Sequence, residues 1–379
     1  MIFFIEKRDL STITTQVYRA ASNKNTIPVL SGILLQVNSE KGLTMTATDM
    51  EIGIRASTSQ VDVVEEGQVL VNAHYFADFI KVLPDTRIKV EIDQAKAKLK
   101  ISYGKSSGYL NIYLDQEYPE LPLQKMEHKI SLPQKVIREA LRKTSFASAQ
   151  SHFRQVFTGV LFDFLPENQL KVVASDTHRL SYYAYQGEGD GPDEESFIVP
   201  TRTVNELLRW LEDSEDLVDI ALSQNNVVFS RDNFLLLSRL IEGQYPNYEQ
   251  VIPSTSNTEM LISSAMLLNI LERAKVMPSD DKLKIPNVVL HVKEDGAFVN
   301  CYSEIMGEIE EVIEELKVSG EVDFKISFNT NYFLDVVKLL AGESPEIMIK
   351  LSGSLGPALI KNPEQDNYLY VLVPLRTSS

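Results

Sequence analysis

The 379-residue chain has little of what marks a disulfide-stabilised or metal-binding protein. Its single cysteine, Cys301, excludes an internal disulfide and any zinc site built from several cysteines. Its five histidines are scattered without a metal-ligand spacing such as His-x-x-x-His. No apolar run approaches the roughly 18 residues that span a bilayer, and the apolar stretch 2–5 is too short for a signal-peptide core. We therefore expect a cytoplasmic globular protein with no metal and no cofactor.

Basic residues are also in short supply. The chain has 37 Lys plus Arg against 53 Asp plus Glu, which gives a net charge of −16. This balance excludes capture of nucleic acid or of an anionic membrane by overall charge, so any nucleic-acid site must be a local cluster of cations. At roughly 100 to 200 residues per domain, the length predicts two or three domains.

An internal repeat gives the domain plan. Residues 29–37 return in type at 156–164, and Ala47-Thr48-Asp49 returns as Ala174-Ser175-Asp176, both with a shift of 127. Residues 117–120 return at 244–247 with the same shift, and a third copy at 329–340 matches 72–83 with six identities in twelve. We therefore predict three similar domains, at 1–127, 128–254 and 255–379.

Hydrophobic periodicity predicts the same order of elements in each copy. In the first copy Leu10, Ile13, Val17 and Ala21 follow helical spacing, with Asp9 or Ser11 as candidate caps. A second helix is expected near 75–83, and strands are expected at 29–37, 43–48, 52–57, 87–92, 97–103 and 109–114. Two helices and many strands with short turns predict an α+β fold, in which two helices cover one face of an antiparallel sheet in each domain.

Positive charge is concentrated in the predicted helices. The first helix regions, 7–24, 133–143 and 264–275, carry +3, +3 and +1, and the three second helices together carry +1. The rest of the chain then carries −24. A solvated helix face is the ordinary explanation of such charges. Their recurrence instead predicts one electropositive surface that contacts DNA phosphates without reading sequence, and duplex rather than single-stranded DNA, because these helices offer no aromatic platform.

Four motifs, in their order and spacing, carry a family resemblance. They are Thr26-Ile27-Pro28-Val29-Leu30, Ala174-Ser175-Asp176-Thr177-His178-Arg179-Leu180, Gly243-Gln244-Tyr245-Pro246-Asn247-Tyr248 and Val373-Pro374-Leu375-Arg376. Over essentially its whole length the chain resembles the bacterial sliding clamps, the β subunits of DNA polymerase III. The resemblance implies a non-catalytic processivity factor whose three-domain chains pair head to tail into a ring of six domains around duplex DNA. It also implies partners: the clamp loader, replicative and translesion polymerases, and mismatch-repair and other replication proteins.

The resemblance further implies two sets of site residues. Contacts to duplex DNA would come from Lys24, Arg138, Arg142, Arg154, Arg202, Arg209 and Arg273. A groove for short partner peptides would comprise Phe157, Ser175, Thr177, His178, Arg179, Leu180, Pro246, Val251, Leu372, Val373, Pro374, Leu375 and Arg376. The chain departs from the family at Thr177, where Gly is usual, and at Gln250, where some members have a basic residue, so its peptide preference stays open.

Enzyme readings are weak in comparison. Gly104-Lys105-Ser106 lacks the earlier glycine of a phosphate-binding loop and fits a hairpin turn better, and the loop at 187–191 carries carboxylates that repel phosphate. Asp176 and His178 could form an acid–base pair, but no nucleophile accompanies them. The main alternative to the clamp is an inert acidic scaffold of three repeats that binds only protein partners.

Overall fold

A computed structural model describes residues 1–22, 27–114, 116–123, 128–188, 194–277, 285–294 and 296–376. By their contacts these residues form two compact units. The first contains Met1–Ile137 and Asn205–Leu240, and the second contains Arg138–Val204 and Ile241–Ser379. The second predicted domain, 128–254, therefore contributes to both units, and the three domain boundaries stay predictions.

The described residues contain six α-helices, two in each predicted domain. These are α1 (Lys7–Val17), α2 (Ala73–Val82), α3 (Gln134–Thr144), α4 (Thr201–Trp210), α5 (Ser264–Ala274) and α6 (Thr330–Ala341). Helix α1 buries Leu10, Ile13 and Val17, as the spacing predicts. The capping prediction is wrong, because α1 begins directly after strand residue Glu6, which provides no side-chain cap. The helix also ends before Ala21, because residues 18–20 tighten into a 3₁₀ turn.

The asparagine that recurs at positions 72 and 329 caps the first turn of a helix in each copy. The Asn72 side chain accepts a hydrogen bond from the backbone N–H of Tyr75 at 3.1 Å and so caps α2. Asn329 caps α6 in the same way, accepting from the N–H of Asn331 at 2.9 Å and of Tyr332 at 3.4 Å. An Asn at this position satisfies helix N–H groups that otherwise lack a partner.

The strands are short and follow one another closely. The first half of the chain contains β1 (Ile2–Glu6), β2 (Gly32–Asn38), β3 (Gly42–Thr48), β4 (Ile52–Thr58), β5 (Val61–Glu65), β6 (Gly67–Asn72), β7 (Arg87–Asp93), β8 (Lys98–Tyr103), β9 (Ser106–Asn111), β10 (His128–Pro133), β11 (Gly159–Leu165), β12 (Gln169–Ser175) and β13 (Arg179–Gln186). The second half contains β14 (Glu195–Pro200), β15 (Leu217–Leu222), β16 (Asn226–Arg231), β17 (Phe234–Arg239), β18 (Thr258–Ser263), β19 (Asn287–Lys293), β20 (Gly296–Ser303), β21 (Gly307–Ile313), β22 (Leu316–Gly320), β23 (Phe324–Asn329), β24 (Glu346–Leu351), β25 (Ala358–Lys361) and β26 (Tyr368–Leu372).

Some predicted strands differ from those observed. The predicted strand at 29–37 begins later, because Pro28–Ser31 forms a 3₁₀ turn in which Pro28 supplies a fixed φ and needs no N–H. The sequence pattern did not predict β1, β5 and β6. Of these, β5 is half exposed, so its side chains do not show the clean alternation of a strand with one buried face.

The strands form two sheets in each unit. In the first unit the strand orders are β5-β1-β7-β8-β9 and β10-β15-β16-β17-β4-β3-β2-β6. In the second unit they are β14-β11-β12-β13-β26-β25-β24-β18-β22 and β21-β20-β19-β23. Neighbouring strands in the part of the chain described are antiparallel, which confirms the α+β class.

Strands from successive repeats join edge to edge. In the first unit β17 pairs with β4, with Leu237 opposite Gly53, and in the second unit β13 pairs with β26, with Leu180 opposite Val371. Each large sheet is therefore continuous across a predicted domain boundary, which explains why the compact units do not follow those boundaries. The second of these junctions carries the candidate site.

Candidate peptide groove and nucleic-acid surface

A groove of about 440 Å³ lies in the second unit at the junction of β13 and β26. Its walls come from the 3₁₀ turn at 155–158, the turn between β12 and β13, the segment 245–251, the loop before β25, and the end of β26. Nine of the thirteen predicted groove residues line it: Phe157, Ser175, Thr177, Arg179, Leu180, Pro246, Val251, Val373 and Pro374.

The other four predicted residues lie outside the lining. Leu372 is fully buried on the opposite side of the strand, because successive side chains of a strand alternate between its two faces. His178 does not line the groove, but its carbonyl accepts the N–H of Val373, a lining residue, at 2.9 Å. Leu375 donates its N–H to the carbonyl of Ser327 at 2.7 Å, and neither it nor Arg376 faces the groove.

Seven lining residues were missed from the predicted set: Tyr245, Asn247, Tyr248, Gln250, Leu355, Pro357 and Val371. Period-two alternation with Val373 could have identified Val371, and the motif at 243–248 already contained Tyr245, Asn247 and Tyr248. Leu355 and Pro357 had no sequence signal, because the pairing of β24, β25 and β26 brings their loop to the groove.

The groove floor is part of a hydrophobic core. Phe157, Leu180, Tyr248 and Val371 belong to one buried cluster, and each is at most 9% exposed. The Tyr248 hydroxyl donates to the carboxylate of Asp163 at 2.8 Å, so this ring is held in place at both ends. The result is a firm apolar surface with few polar groups, which suits an apolar peptide segment.

Arg179 is the single charged residue among the lining residues and is only 9% exposed. Its Nε donates to Asp176 at 3.0 Å, and its terminal nitrogens donate to Asp335 at 2.7 Å and to the carbonyl of Phe146 at 2.6 Å. The guanidinium also lies over the ring of Tyr332, 4.1 Å from the ring centre. Contacts on several sides fix its position in the groove wall.

Burial by itself lowers the pKa of Arg179, but Tyr370, Asp335 and Asp176 raise it by more, so the net pKa lies above its ordinary value. The guanidinium is therefore charged at every physiological pH. A buried charge of this kind is tolerated because it is paired and hydrogen-bonded.

Thr177 occupies a strained turn at the groove edge. Its φ is +77°, in the left-handed region that a β-branched residue rarely adopts. This angle explains why glycine suits the position. Met50, at the corresponding place in the first repeat, has a φ of +79°, so the turn geometry is part of the repeat.

The acid–base pair of Asp176 and His178 is not formed. Residues 176–178 make the turn between β12 and β13 and so do not share a strand face. One Asp176 oxygen accepts the backbone N–H groups of His178 and Arg179, at 3.0 and 3.1 Å, and the other pairs with the Arg179 side chain. The carboxylate is therefore a structural partner of Arg179 and not the orienting acid of a histidine base.

Several of the predicted DNA-contact residues pair with carboxylates. Arg142 pairs with Glu343 and Arg209 with Glu206, and Arg273 forms a two-pronged pair with Glu311 at 2.6 and 2.8 Å. Arg142, Arg154, Arg202, Arg209 and Arg273 are exposed and Arg138 is half-buried. Among the described residues, Arg138 and Arg154 form no ion pair, and Arg154 lies over the Phe157 ring at 5.2 Å. Lys24 lies outside the described residues.

The helices carry less positive charge than the sequence pattern predicted. Within the observed bounds α1 carries a net charge of +1, α3 +3 and α4 +1, and the other three helices carry no net charge. Arg19 and Lys275 lie beyond the ends of α1 and α5, and Lys24 lies outside the described residues. Lys143 on α3 is 1% exposed, and its Nζ lies 2.9 Å from carboxylate oxygens of both Glu139 and Glu343. Its charge is therefore neutralised inside the protein and is not available to DNA.

The remaining chemical candidates have structural explanations. Gly104 and Lys105 form the turn of the β8–β9 hairpin, as predicted, and Cys301 is a buried core thiol. Within the described ranges we find no cluster of three or more His, Cys, Asp or Glu side chains placed to hold a metal ion. In the same ranges no helix combines the length and apolarity that crossing a membrane requires.

Taken together, the fold and the groove define a class of protein: an antiparallel α+β scaffold built from repeats, with an apolar peptide-type groove at one junction between repeats. Comparison with known proteins identifies the family. Models of the N-terminal, central and C-terminal domains of the DNA polymerase III beta subunit match residues 1–122, 131–247 and 249–376. The chain therefore belongs to the DNA polymerase III beta subunit family.

Individual relatives agree with this assignment over the whole chain. The beta sliding clamp of Halalkalibacterium halodurans is 32% identical over 389 residues, and that of Bacillus subtilis is 30% identical over 387, with full coverage of both sequences in each case. The crystal structure of the Bacillus subtilis DNA polymerase sliding clamp matches with a TM-score of 0.89 and 28% identity, again over all of both chains. The protein is a DNA clamp that tethers DNA polymerase, a non-catalytic subunit rather than an enzyme.

Proposed function

We propose that two copies of this chain close head to tail into a ring that encircles duplex DNA, and that the groove holds the polymerase and other partners by short apolar peptides. The observation that carries the ring is the repeated strand junction. In the first unit, the pairing of β17 with β4 joins the run β10-β15-β16-β17 to the run β4-β3-β2-β6. In the second unit, the pairing of β13 with β26 joins the equivalent runs β14-β11-β12-β13 and β26-β25-β24-β18.

Two equivalent edges have no strand partner within the described residues. The run β1-β7-β8-β9 corresponds to β10-β15-β16-β17 and ends on β9, and the run β21-β20-β19-β23 corresponds to β4-β3-β2-β6 and begins on β21. An exposed edge strand has unpaired backbone N–H and C=O groups that can form hydrogen bonds with a strand of another chain. Joining β9 of one chain to β21 of its partner pairs two different edges and is therefore a heterologous contact. Contacts of this kind form a closed ring when the rotation from each chain to the next brings the last chain back to the first.

The composition of the two edges supports this pairing. Strand β21 carries Glu308, Glu310 and Glu311, of which Glu311 already pairs with Arg273, whereas Lys98 on β8 and Lys105 in the β8–β9 turn lie beside β9. The β20–β21 hairpin also exposes apolar side chains: Tyr302, Ile305, Met306 and Val312. Opposite charges and an exposed apolar patch are typical of a protein–protein interface.

For DNA, we propose contacts from Lys24, Arg138, Arg142, Arg154, Arg202, Arg209 and Arg273 to phosphates. In the pairs of Arg142, Arg209 and Arg273 the guanidinium is about half exposed, so it can also reach a phosphate, whereas the carboxylate partner is only 14 to 22% exposed. Weak, exchangeable contacts suit a ring that must slide, since closure itself prevents dissociation. An acidic body elsewhere disfavours DNA binding outside the hole.

The phosphate contacts predict a change in salt dependence. Replacing Arg138, Arg142 and Arg202 with Glu should weaken DNA binding and flatten the plot of log K against log salt, by roughly 0.9 for each phosphate that is no longer neutralised. Fluorescence anisotropy with a labelled DNA duplex at several salt concentrations measures the slope. Lys317→Glu, on the exposed edge strand β22, should leave the slope unchanged. An unaltered slope in the triple variant would contradict the assignment.

The groove predicts a loss of peptide binding. An array of overlapping peptides from the catalytic subunit of a bacterial replicative polymerase should contain segments that bind the wild-type protein. Alanine at both Leu180 and Pro374 should weaken the binding of these segments at least tenfold, because two walls of the apolar surface are truncated. Val64→Ala, an exposed apolar position in the first unit, serves as the control. Retained affinity in the double variant would remove the groove from the proposal.

The clamp loader and the translesion and mismatch-repair proteins are proposed as further partners through the same groove, and the cytoplasmic nucleoid is proposed as the location.

The experiment that decides whether the ring forms loads the protein onto nicked circular plasmid with a bacterial clamp loader and ATP, and then applies gel filtration in high salt. Release on linearising the DNA supports topological linkage. Retention on both forms contradicts the ring, and retention on neither, with a competent loader, supports the inert scaffold.

A further inference from the structure

One wall of the proposed groove is a segment that belongs to no strand. Six of the seven residues at 245–251 line the groove, and among the described residues the backbone-to-backbone hydrogen bonds of this segment stay local. Val251 donates to the carbonyl of Tyr248 at 3.2 Å, and Ile252 donates to that of Glu249 at 3.3 Å. The strand pairing that fixes β13 and β26 therefore does not fix this wall, whose position depends on its side chains.

Two polar contacts connect the wall segment to the sheet. The Tyr248 hydroxyl donates to the Asp163 carboxylate at 2.8 Å, and the Lys171 ammonium lies 2.6 Å from a carboxylate oxygen of Glu249. Asp163 on β11 and Lys171 on β12 lie opposite each other in the strand register, so the pair binds two consecutive wall residues. The Lys171 side chain is 15% exposed and that of Glu249 is 60% exposed, so one end of the ion pair is shielded from solvent. We call these four residues the anchor cluster.

The first repeat has an equivalent segment without the anchor cluster. At the shift of 127, uncharged residues stand at all four positions: Gln36, Thr44, Leu121 and Pro122. Leu121 is 7% exposed and lies directly on β4, where a Cβ atom added at Gly53 would come within 2.4 Å of its Cδ2. In the second repeat Leu180 stands at the position of Gly53 and lines the groove. In the first repeat, therefore, the equivalent segment fills the space beside the strand with its own leucine.

We propose that Asp163 and Lys171 are positioning residues that hold the wall segment at β11 and β12 and so keep the groove open for a peptide. This inference rests on the proposed groove function. Neither residue is among those that line the groove, so each acts through the wall residue that it binds. Without the anchor cluster the wall would also occupy positions in which its apolar side chains cover the groove. The apparent affinity for a peptide would then fall with the fraction of molecules whose groove is open.

The hydrogen bond is tested with the polymerase peptides that bind wild type, in labelled form, by fluorescence anisotropy. Asp163→Ala should weaken binding roughly fivefold or more, because the Tyr248 hydroxyl loses its acceptor. Asp163→Asn should retain most of the affinity, because its amide oxygen can still accept this hydrogen bond.

The ion pair is tested by exchanging its two charges. Lys171→Glu should weaken binding by a similar factor, because two carboxylates then face each other, and adding Glu249→Lys should restore the affinity. The control is Lys350→Glu, which breaks a comparable pair with Glu259, at 2.7 Å, between β24 and β18 of the same sheet. This variant should bind like wild type.

Hydrogen exchange of the peptide-free protein gives a second readout, which a general loss of stability would change differently. In Asp163→Ala and in Lys171→Glu the backbone amides of 245–251 should exchange faster, whereas those of β18 and β24 should exchange as in wild type.

The outcomes separate the two proposals. If wild type binds no peptide of the array, the groove function itself fails. If peptides bind but Asp163→Ala and Lys171→Glu bind them like wild type, the positioning role is wrong while the groove stands. The positioning role is also wrong if the exchanged pair does not recover affinity, or if exchange accelerates equally in the wall segment, β18 and β24.

Discussion

At the scale of single residues, Thr177 is the position where local conformation and residue type conflict most. A left-handed φ costs an L-residue roughly 1 to 2 kcal/mol, because Cβ then comes too close to the following carbonyl oxygen, and the branched side chain of Thr177 rarely adopts this region. The strain persists because the turn also positions Asp176 for Arg179 and presents the groove wall. Sites of function commonly retain strain of this kind.

We expect Thr177→Gly to raise the free energy of unfolding by about 1 kcal/mol, because relief of the strained φ exceeds the added flexibility of glycine in the unfolded chain. Urea unfolding followed by circular dichroism measures the change. Thr255→Gly, at an exposed loop threonine without a positive φ, should instead be neutral or destabilising. If both variants changed stability equally, strain at Thr177 would not be the cause.

At the scale of the element, the sheet β5-β1-β7-β8-β9 has a charged row on its surface. The side chain of Glu91 on β7 is 18% exposed, and it pairs with Lys89 on its own strand and with Lys100 on β8 at 2.9 Å. These hydrogen bonds, first that of Lys89 and then that of Lys100, hold the pKa of Glu91 below its ordinary value. Cross-strand pairs of opposite charge stabilise adjacent strands modestly.

A pH dependence follows from the lowered pKa. A carboxyl whose pKa is lower folded than unfolded stabilises the folded state above its unfolded pKa of about 4.3, and this contribution is lost as pH falls through the folded pKa. Glu91→Gln should therefore lower the free energy of unfolding by about 1 kcal/mol at pH 7, and the deficit should shrink as pH falls below the unfolded pKa of about 4.3 and disappear below the folded pKa. Urea unfolding of both proteins from pH 3 to pH 7 checks this. A pH-independent deficit would mean that packing, not charge, is responsible. Asp85→Asn, at an exposed residue that forms no ion pair with the described residues, is the control.

At the scale of the whole molecule, the proposed assembly would join two edges of opposite charge, β9 and β21, that have no strand partner among the described residues. Within each unit the equivalent edges are joined by strand pairing, so their backbone groups are satisfied. Pairing of β9 with β21 of a partner would satisfy the remaining backbone groups in the same way. Charge then decides partner choice and on-rate more than it decides affinity.

A charge swap tests this arrangement. Glu308→Lys with Glu310→Lys should weaken self-association roughly tenfold, because positive charges would then face Lys98 and Lys105. Adding Lys98→Glu and Lys105→Glu to the same chain should restore most of the association. Sedimentation equilibrium at low and high salt measures both. Glu364→Lys, exposed and away from β21 in sequence, should associate like wild type, and failure of the compensating variant would rule out this pairing.

Much of the fold and of the groove could be predicted from local pattern. Helix α1 follows from the spacing of Leu10, Ile13 and Val17, and the match between 72–83 and 329–340 reflects helices that start from equivalent Asn caps. Eight of the nine predicted groove residues that line the groove lie in three of the quoted motifs or in the repeated stretch at 156–164, and Val251 lies three residues after one of these motifs. The capping of α1 could not be predicted, because it depends on a strand that runs directly into the helix.

The sequence alone determined the threefold repeat, the α+β class, the acidic body and the motifs that mark the family, because each depends on residue type and spacing along the chain. Only the tertiary structure decided which strands of successive repeats join, which loop completes the groove, and which cations remain available. Lys143 looks like a surface charge in sequence but lies buried between Glu139 and Glu343, and Arg179 acquires Asp335 from 156 residues further along. These outcomes depend on long-range neighbours, and neighbours are fixed only when the sheets are assembled.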